Sequence, residues 1–451
     1  MSEKALLEWQ EKTLHDLVEI PSHDPDGERT ITQYIQRRIE RSDAQYHGIP
    51  IGDGRDVLVA ELGCPIADAQ CSVLLHAHVD TVYGTKRKKR RKGPLDRRPH
   101  PRPPWVDPWP GRYKLQIEGD EARGSGVYDM KGGVMVLMNV AHYLKPPDGT
   151  HVDVAFLPDE EKESKGQQKL EQWILDHRRG YHACLSPEVE PRSAADSDER
   201  QRIVIGRRGA LKVAGAIELS EEAMGHSAEG GLEAIGALAL LQGGLRSAFK
   251  TQLQRHTLLG AEELRPAVVY ADGRDEMTSE DEGEFGFKVF LVPKEAHKGR
   301  TGSEILDAEM ERFSALIEGV CTRLQWTRKV KVDTWKDYPY TSYPPYCLGE
   351  SHPIIQCVKN TAQRVAHPEM SAICVGGSSN ADANLFHHFF QEHYRELGLK
   401  EPTVVLDIPY RGYGAHSMYE RASLSSIARV REIMWRLLER DLPAQIQKMS
   451  Q

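Results

Sequence analysis

Cysteine is scarce and scattered in this chain of 451 residues, which contains only seven. They run from Cys64 to Cys374 and form no Cys-x-x-Cys pair, so the sequence predicts neither a disulfide framework nor a structural zinc knuckle. Long apolar runs are also missing. The first residues carry acids throughout and lack the apolar core of a signal peptide, and AIGALALL is too short to span a bilayer. We therefore expect a cytoplasmic protein that contacts no membrane.

Two further absences narrow the chemistry. The sequence has no Gly-x-Ser-x-Gly elbow and no Cys/His pair at a predicted strand end, which argues against a serine or cysteine hydrolase. The net charge of -8 gives no reason to expect nucleic acid. A local exception is the run Lys86 to Lys92, which could attract an acidic substrate, nucleic acid or an acidic partner. No aromatic residue is interleaved there for base stacking, so we interpret the run as a solvated loop.

The order of apolar segments predicts an α/β fold. Short apolar runs such as DVLVAEL, CSVLLHAHVD, DVAFLPDEE and YHACLSPEVE are interspersed with the helix-length segment GGVMVLMNVAHYL. This alternation is typical of a mostly parallel sheet with helices on both faces. The chain is also longer than one hydrophobic core usually supports, which predicts a second domain or a large insertion.

A change of pattern predicts where that insertion lies. From GRRGALKVAGAIEL onward, alternating strands are combined with two helices, which is typical of a small α+β unit with an antiparallel sheet. We place this unit at residues 206–338, so that it interrupts a catalytic domain formed by residues 1–205 and 339–451. In the last part, we interpret CVGGSSNADANLF as a loop and expect the final helix to end near Arg440.

Acids and histidines follow the predicted strands at their carboxyl ends, where functional groups collect in parallel sheets. Carboxylates combined with imidazoles favour zinc over magnesium, and the number of acids suffices for two ions bridged by one carboxylate. The candidate residues are His78, Asp129, Glu160, Glu161, Glu188 and His416.

Spacing suggests further roles around these candidates. His78 and Asp80 point to the same side of an extended segment, so Asp80 can orient the imidazole. Glu160 and Glu161 are neighbours and cannot point the same way, so one is expected to bind metal and the other to act as general base. Asn384 and the backbone amides around it either bind a substrate carboxylate or amine, or shape a turn.

At this point the chain resembles the M20 family of di-zinc peptidases and amide deacylases. The matching pieces occur in family order over nearly the whole chain, and SGVYDMKGG followed by DEE is the most specific of them. The other pieces are LVEIPS, HAHVDTV, WVDPW, LSPEVE, GRRGALK, GHSAEGGLEAI, GGSSNADANLF and GAHSMYE.

The resemblance implies a role for each candidate. It makes Glu160 the general base, Asp80 the support of His78, and Glu188 rather than Glu190 the ligand after LSP. It also implies that Asp129 bridges two zinc ions, with the other ligands divided between them: His78 and Glu188 for the first, Glu161 and His416 for the second.

The inserted unit carries two further implications of the resemblance. In this family it pairs two subunits, and the histidine that matches His226 reaches the partner's site to stabilise the oxyanion. The family's usual Asp-x-Arg is replaced here by Val292 and Lys294. Lys294 is thus the candidate contact for a substrate carboxylate, with a single-point donor instead of a guanidinium fork.

The sequence therefore predicts a homodimeric hydrolase with two zinc ions per subunit, for which cobalt or manganese could substitute. It is expected to cleave an amide bond in short peptides as an exopeptidase, because GGSSNADANLF resembles the tripeptidase-like branch. An N-acyl-amino-acid deacylase with the same site is the alternative. From a different class, the chain is a non-catalytic metal-binding protein whose basic loop, residues 86–92, recruits a partner.

Overall fold

The computed structural model describes residues 3–82, 113–190, 198–219, 234–272, 282–325, 330–336, 342–366, 371–416 and 420–451. The chain forms two compact units. The first contains the described residues up to Arg207 together with Cys347–Gln451, and the second contains Arg208–Tyr346. Among the described helices, none has the length and apolar character needed to cross a membrane.

The α-helices of the described residues are numbered in chain order. They are α1 Glu3–Glu19, α2 Pro25–Ile39, α3 Gly132–Tyr143, α4 Lys165–Asp176, α5 Ala234–Gln252, α6 Gly302–Arg323, α7 Pro353–Val365, α8 Asp382–His393, α9 Leu424–Arg436 and α10 Leu442–Ser450.

The strands are numbered in the same way. They are β1 Gln45–Gly52, β2 Arg55–Gly63, β3 Cys71–His78, β4 Gln116–Glu118, β5 Glu121–Arg123, β6 Thr150–Leu157, β7 Ala183–Ser186, β8 Gln201–Arg207, β9 Gly209–Leu219, β10 Arg255–His256, β11 Gly260–Ala261, β12 Glu263–Asp272, β13 Glu282–Leu291, β14 Val330–Lys336, β15 Tyr346–Cys347, β16 Ala372–Gly377, β17 Val404–Asp407, β18 Gly412–Tyr413 and β19 Arg421–Ser423.

The first unit is built on a nine-stranded sheet. Its strand order is β1-β2-β6-β3-β7-β17-β8-β15, with β16 beside β8. The central pairs β6 with β3, β3 with β7 and β7 with β17 are parallel. Strands β3 and β6 are buried at every residue, as expected for strands covered on both faces. The predicted α/β class with a mostly parallel sheet is confirmed.

The second unit has a four-stranded antiparallel sheet in the order β12-β13-β9-β14. Its core forms where the apolar side chains of the sheet meet those of α5 and α6, and it includes Leu241, Phe285, Phe287, Phe313 and Ile317. The rings of Phe287 and Phe313 lie 5.9 Å apart, so helix and sheet interlock through aromatic contacts.

Two expectations about the last part of the chain were wrong. The segment interpreted as a loop contains the end of β16 and the start of α8. The apolar residues before Gly377 extend because they pair with the buried strand β8, a long-range contact that local sequence does not reveal. The final helix does not end near Arg440 either, since a wider helical turn at Leu437–Asp441 leads directly into α10.

Candidate metal centre

Three neighbouring strands of the first unit deliver side chains to one edge of the sheet. Strand β3 ends at His78, which pairs with Leu157 at the end of β6, and β7 runs parallel on the other side of β3. The acidic turn after β6 and the segment after β7 therefore emerge beside His78. This shared edge is where α/β sheets usually carry their sites.

The Asp129 carboxylate lies between two imidazoles. One oxygen, Oδ1, is 3.0 Å from His78 Nε2, and the other, Oδ2, is 3.0 Å from His416 Nε2. These histidines come from parts of the chain more than 330 residues apart, since they stand at positions 78 and 416. A carboxylate that offers one oxygen to each side has the geometry needed to bridge two cations.

Each imidazole is also close to a second carboxylate. Oε1 of Glu161 is 2.9 Å from His416 Nε2, and Oε2 of Glu188 is 3.7 Å from His78 Nε2. Three overlapping groups thus have donor atoms within 4.8 Å of one another: His78 with Asp129 and Glu188, His78 with Glu160 and Glu161, and Asp129 with Glu161 and His416.

Asp80 contacts both His78 and the acidic turn. The Asp80 backbone oxygen is 3.1 Å from His78 Nδ1, whereas its carboxylate oxygen is 3.6 Å from the same nitrogen. The Asp80 carboxylate accepts the backbone N–H groups of Glu160 and Glu161, at 3.0 and 3.1 Å. The sequence suggested only the support of His78, and the contact with the turn is an additional finding.

Burial and crowding change the pKa values of these groups. Burial raises the pKa of Glu160, Glu161 and Glu188 to about 7 each, and neighbouring acids reinforce the effect. Burial would lower the pKa of His78, but the hydrogen bonds that the imidazole donates to the Asp129 and Asp80 carboxylates raise it well above its usual value. Protons are therefore held tightly where the site has excess negative charge, which is the condition that a bound cation would relieve.

The donor set fits two divalent cations. Imidazole nitrogens and carboxylate oxygens converge on Asp129, and this mixture suits zinc better than magnesium, which prefers oxygen ligands. Glu190 is not in these groups. Its carboxylate is 2.8 Å from the Arg202 guanidinium instead, so Glu188 is the acid of this segment that faces His78.

Two of the other predicted residues, Asn384 and Lys294, fall within the described part of the chain. Asn384 is fully buried in α8, and its Oδ1 accepts the backbone N–H of Ala381 at 3.0 Å. Lys294 lies in the second unit, where its ammonium is 2.6 Å from Glu309 and 2.8 Å from Glu262. His226 and the basic run at residues 86–92 fall outside the described residues.

The sequence did not single out two buried side chains that contact the site's loops. Arg55 donates to Asp159 immediately before the Glu160–Glu161 pair, and Glu420 accepts from the backbone of Asp129. Arg55 has no motif that would reveal it. Glu420 does carry a signal, because it stands four residues after His416 in GAHSMYE.

The chain resembles known proteins in sequence pattern and in fold. A model of peptidase family M20/M25/M40 matches residues 74–440. Among curated proteins, no sequence matches the chain.

Solved structures share the fold at low sequence identity. The di-peptidase Dug1p from Saccharomyces cerevisiae is 15% identical with a TM-score of 0.66, over 98% of this chain and 97% of that one. Human carnosine dipeptidase 1 is 14% identical with a TM-score of 0.65, over 98% of both chains. Aminopeptidase PepT from Bacillus cereus is 14% identical with a TM-score of 0.63, again over 98% of both.

Proposed function

The chain belongs to peptidase family M20/M25/M40, and on that premise we propose that it is a two-zinc exopeptidase that cleaves short peptides. The observation that carries the proposal is the Asp129 carboxylate, whose two oxygens each lie 3.0 Å from a different imidazole. His78 and Glu188 would hold one zinc ion, and Glu161 and His416 the other. Cobalt or manganese would be workable substitutes, since both accept nitrogen and oxygen ligands.

Bound divalent ions would polarise the scissile carbonyl and lower the pKa of water in the site. Glu160 is the residue we assign to proton transfer. Its carboxylate lies beside His78 and Glu161 at the proposed metal site, where it can take a proton from the attacking water and return it to the leaving amine. Asp80 accepts the backbone N–H of Glu160 and so keeps the Glu160 carboxylate beside His78.

The proposed substrate is a small peptide with a free terminus. The similar structures include a di-peptidase, a carnosine dipeptidase and an aminopeptidase, which favours short peptides. Asn384 is the candidate for shaping the substrate-binding segment, because its side chain fixes the start of α8. Lys294 is the candidate contact for a substrate carboxylate, because an ammonium has three N–H groups and, among the described residues, its ion pairs are those with Glu309 and Glu262.

We further propose that two chains pair through the second unit and that His226 of one subunit donates to the oxyanion in the other. The support for this role is that GHSAEGG resembles the family segment that contains the oxyanion histidine. An imidazole donor aimed at the developing oxyanion acts only as the transition state forms. Sedimentation of the protein and turnover of mixed His226→Asn and Glu160→Gln dimers would test it. Recovery of activity in the mixed dimer supports sharing across subunits.

The substrate class can be decided with one panel. Protein stripped by a chelator and reloaded with zinc or cobalt is given dipeptides, tripeptides and N-acetyl amino acids that contain the same residues, and amine release is measured. We expect peptides to be cleaved faster than acetylated amino acids. The reverse preference would identify a deacylase, and two bound ions without turnover of any substrate would identify a non-catalytic metal-binding protein.

A further inference from the structure

A buried acid outside the proposed ligand set contacts the loop that presents Asp129. Strand β19 pairs antiparallel with β5, with Arg421 opposite Arg123. Glu420 precedes β19, and the loop after β5 begins at Gly124, so this pairing brings Glu420 beside the loop. The Glu420 side chain is 7% exposed.

The Glu420 carboxylate accepts three backbone N–H groups from that loop. Oε2 accepts the N–H of Gly126 at 2.8 Å, and Oε1 accepts those of Tyr128 and Asp129 at 3.0 and 2.8 Å. Among the described residues, no ion pair joins Glu420 to a basic side chain. The loop's N–H groups are thus its principal polar contacts, in an arrangement that resembles an anion-binding nest of backbone amides.

The loop has the conformation that these contacts require. Gly126 has a φ of 76°, a region that side chains disfavour, and a Cβ there would lie 2.7 Å from the Thr81 side chain. The backbone consequently turns so that several N–H groups face one point. The Glu420 carboxylate occupies that point and accepts hydrogen bonds from N–H groups that would otherwise be buried without partners.

We infer that Glu420 is a positioning residue that sets the Asp129 carboxylate for both metal ions. It fixes the backbone at Asp129 itself, and it stands four residues after His416, so one side chain links the two segments that meet in the second metal site. Supporting contacts of this kind orient metal ligands and typically change affinity by about 10- to 100-fold when removed. This inference rests on the proposed two-metal function.

The test compares Glu420→Gln with Glu121→Gln. The amide introduced by Glu420→Gln keeps one acceptor oxygen but turns an NH2 group toward the loop's N–H groups. Glu121 is a matched control because it lies on β5 of the same ladder and accepts from Arg123 and Arg421, both at 2.7 Å, without contacting Asp129. Zinc affinity and stoichiometry are measured by competition with a chromophoric chelator, and kcat and KM are measured on a cleaved peptide.

We expect Glu420→Gln to fold, to bind at least one zinc ion about 10- to 100-fold more weakly, and to lose kcat with little change in KM. Glu121→Gln should match the wild type. Equal zinc affinities and equal kcat for Glu420→Gln and wild type would overturn the inference, and so would an affinity loss of the same size in Glu121→Gln. If Glu420→Gln fails to fold, Glu420→Asp replaces it, with the same expected loss of affinity.

A second readout requires no metal. Amide hydrogen exchange of the stripped protein should be faster for the peptide that contains residues 126–131 in Glu420→Gln than in the wild type or in Glu121→Gln. Unchanged exchange there would refute the positioning role directly. Wild-type protein that binds no zinc would instead refute the proposed function, so the two failures are distinguishable.

Discussion

The Arg55 guanidinium donates to the Asp159 carboxylate at 2.9 Å, at a point where the two side chains are only 4% and 2% exposed. Arg55 also donates to the fully buried Glu28 on α2. Asp159 has a φ of 73° and directly precedes Glu160, so this buried ion pair holds the turn that presents the proposed general base. The first acid of the DEE motif is therefore neutralised by the protein, and the other two face the metal site.

Replacing Arg55 with Met should destabilise the protein strongly. Asp159 would remain buried without the guanidinium and Glu28 would keep only its ion pair with Lys162, and breaking a buried pair costs about 3–5 kcal/mol. Arg29→Met is the matched control, because Arg29 pairs with the exposed Asp26 at 2.7 Å, and such pairs contribute at most about 1 kcal/mol. Urea unfolding measures both free energies of unfolding, and similar losses in the two variants would contradict the importance of the buried pair.

Glu160→Gln should separate metal binding from turnover. We expect both zinc ions to remain bound and kcat to fall by at least about 100-fold, the contribution typical of a general base. Glu163→Gln serves as the control, since Glu163 lies in the same segment and pairs with Lys165 at an exposed position. Metal content is measured by elemental analysis and kcat on the best peptide of the panel. Full activity in Glu160→Gln would remove it as the base.

Each of the two histidines should be required for the binding of one metal ion. His78→Ala and His416→Ala are each expected to reduce the zinc content from two ions to one, because each imidazole lies on a different oxygen of Asp129. Asp129→Ala should weaken both sites. His177→Ala, an exposed change at the end of α4, is the control and should retain both ions. Loss of both ions in His416→Ala alone would show that the sites are not separable in this way.

Much of this site could be read from the sequence because it follows from local rules. His78, Glu161 and Glu188 come directly after buried apolar runs, and parallel strands bring such positions to one edge. Arg55 and Glu420 could not be found in this way. Their partners are 104 and 291 residues away, at Asp159 and Asp129, and no periodicity records such a contact.

Asn384 illustrates a second reason why a sequence pattern does not determine the role of a residue. Its motif offered either a substrate contact or a turn, and the structure places its Oδ1 on the backbone of Ala381 at the start of α8. An Asn at the third position of a helix and an Asn that faces a ligand look alike in sequence. The difference depends on the direction of the side chain, which tertiary packing sets.

The effect of Lys294→Met on KM should depend on whether the peptide substrate ends in a free carboxylate or in an amide. If the third N–H of Lys294 contacts a substrate carboxylate, KM should rise about tenfold, equivalent to about 1.4 kcal/mol, for peptides with a free carboxylate. KM for the same peptides with a terminal amide should not change. Lys294→Arg retains the charge and is the control. Equal effects on free and amidated peptides would show that Lys294 serves only its ion pairs with Glu309 and Glu262.

The second unit should lose stability in acid through Glu309. Burial by itself would raise the pKa of Glu309, but hydrogen bonds from His297 and Lys294 and the charge of Arg312 hold it at about 2, below the usual 4.5. Because the folded pKa is below the unfolded one, the stabilisation is fully present above pH 4.5 and is lost as the pH falls toward 2.

Glu309→Gln isolates this contribution. At pH 7 the variant should be less stable by up to about 3 kcal/mol, the value of a shift between two and three pKa units. The difference in free energy of unfolding between wild type and variant should then narrow at pH 4. At pH 3 it should fall to less than half of its value at pH 7, because the wild-type carboxylate takes up a proton on unfolding there. Glu295→Gln, an exposed change beside Lys298, should follow the wild type at every pH. Urea unfolding of metal-free protein at each pH measures these free energies. A difference between wild type and Glu309→Gln that stays constant from pH 7 to pH 3 would show that Glu309 does not cause the loss of stability in acid.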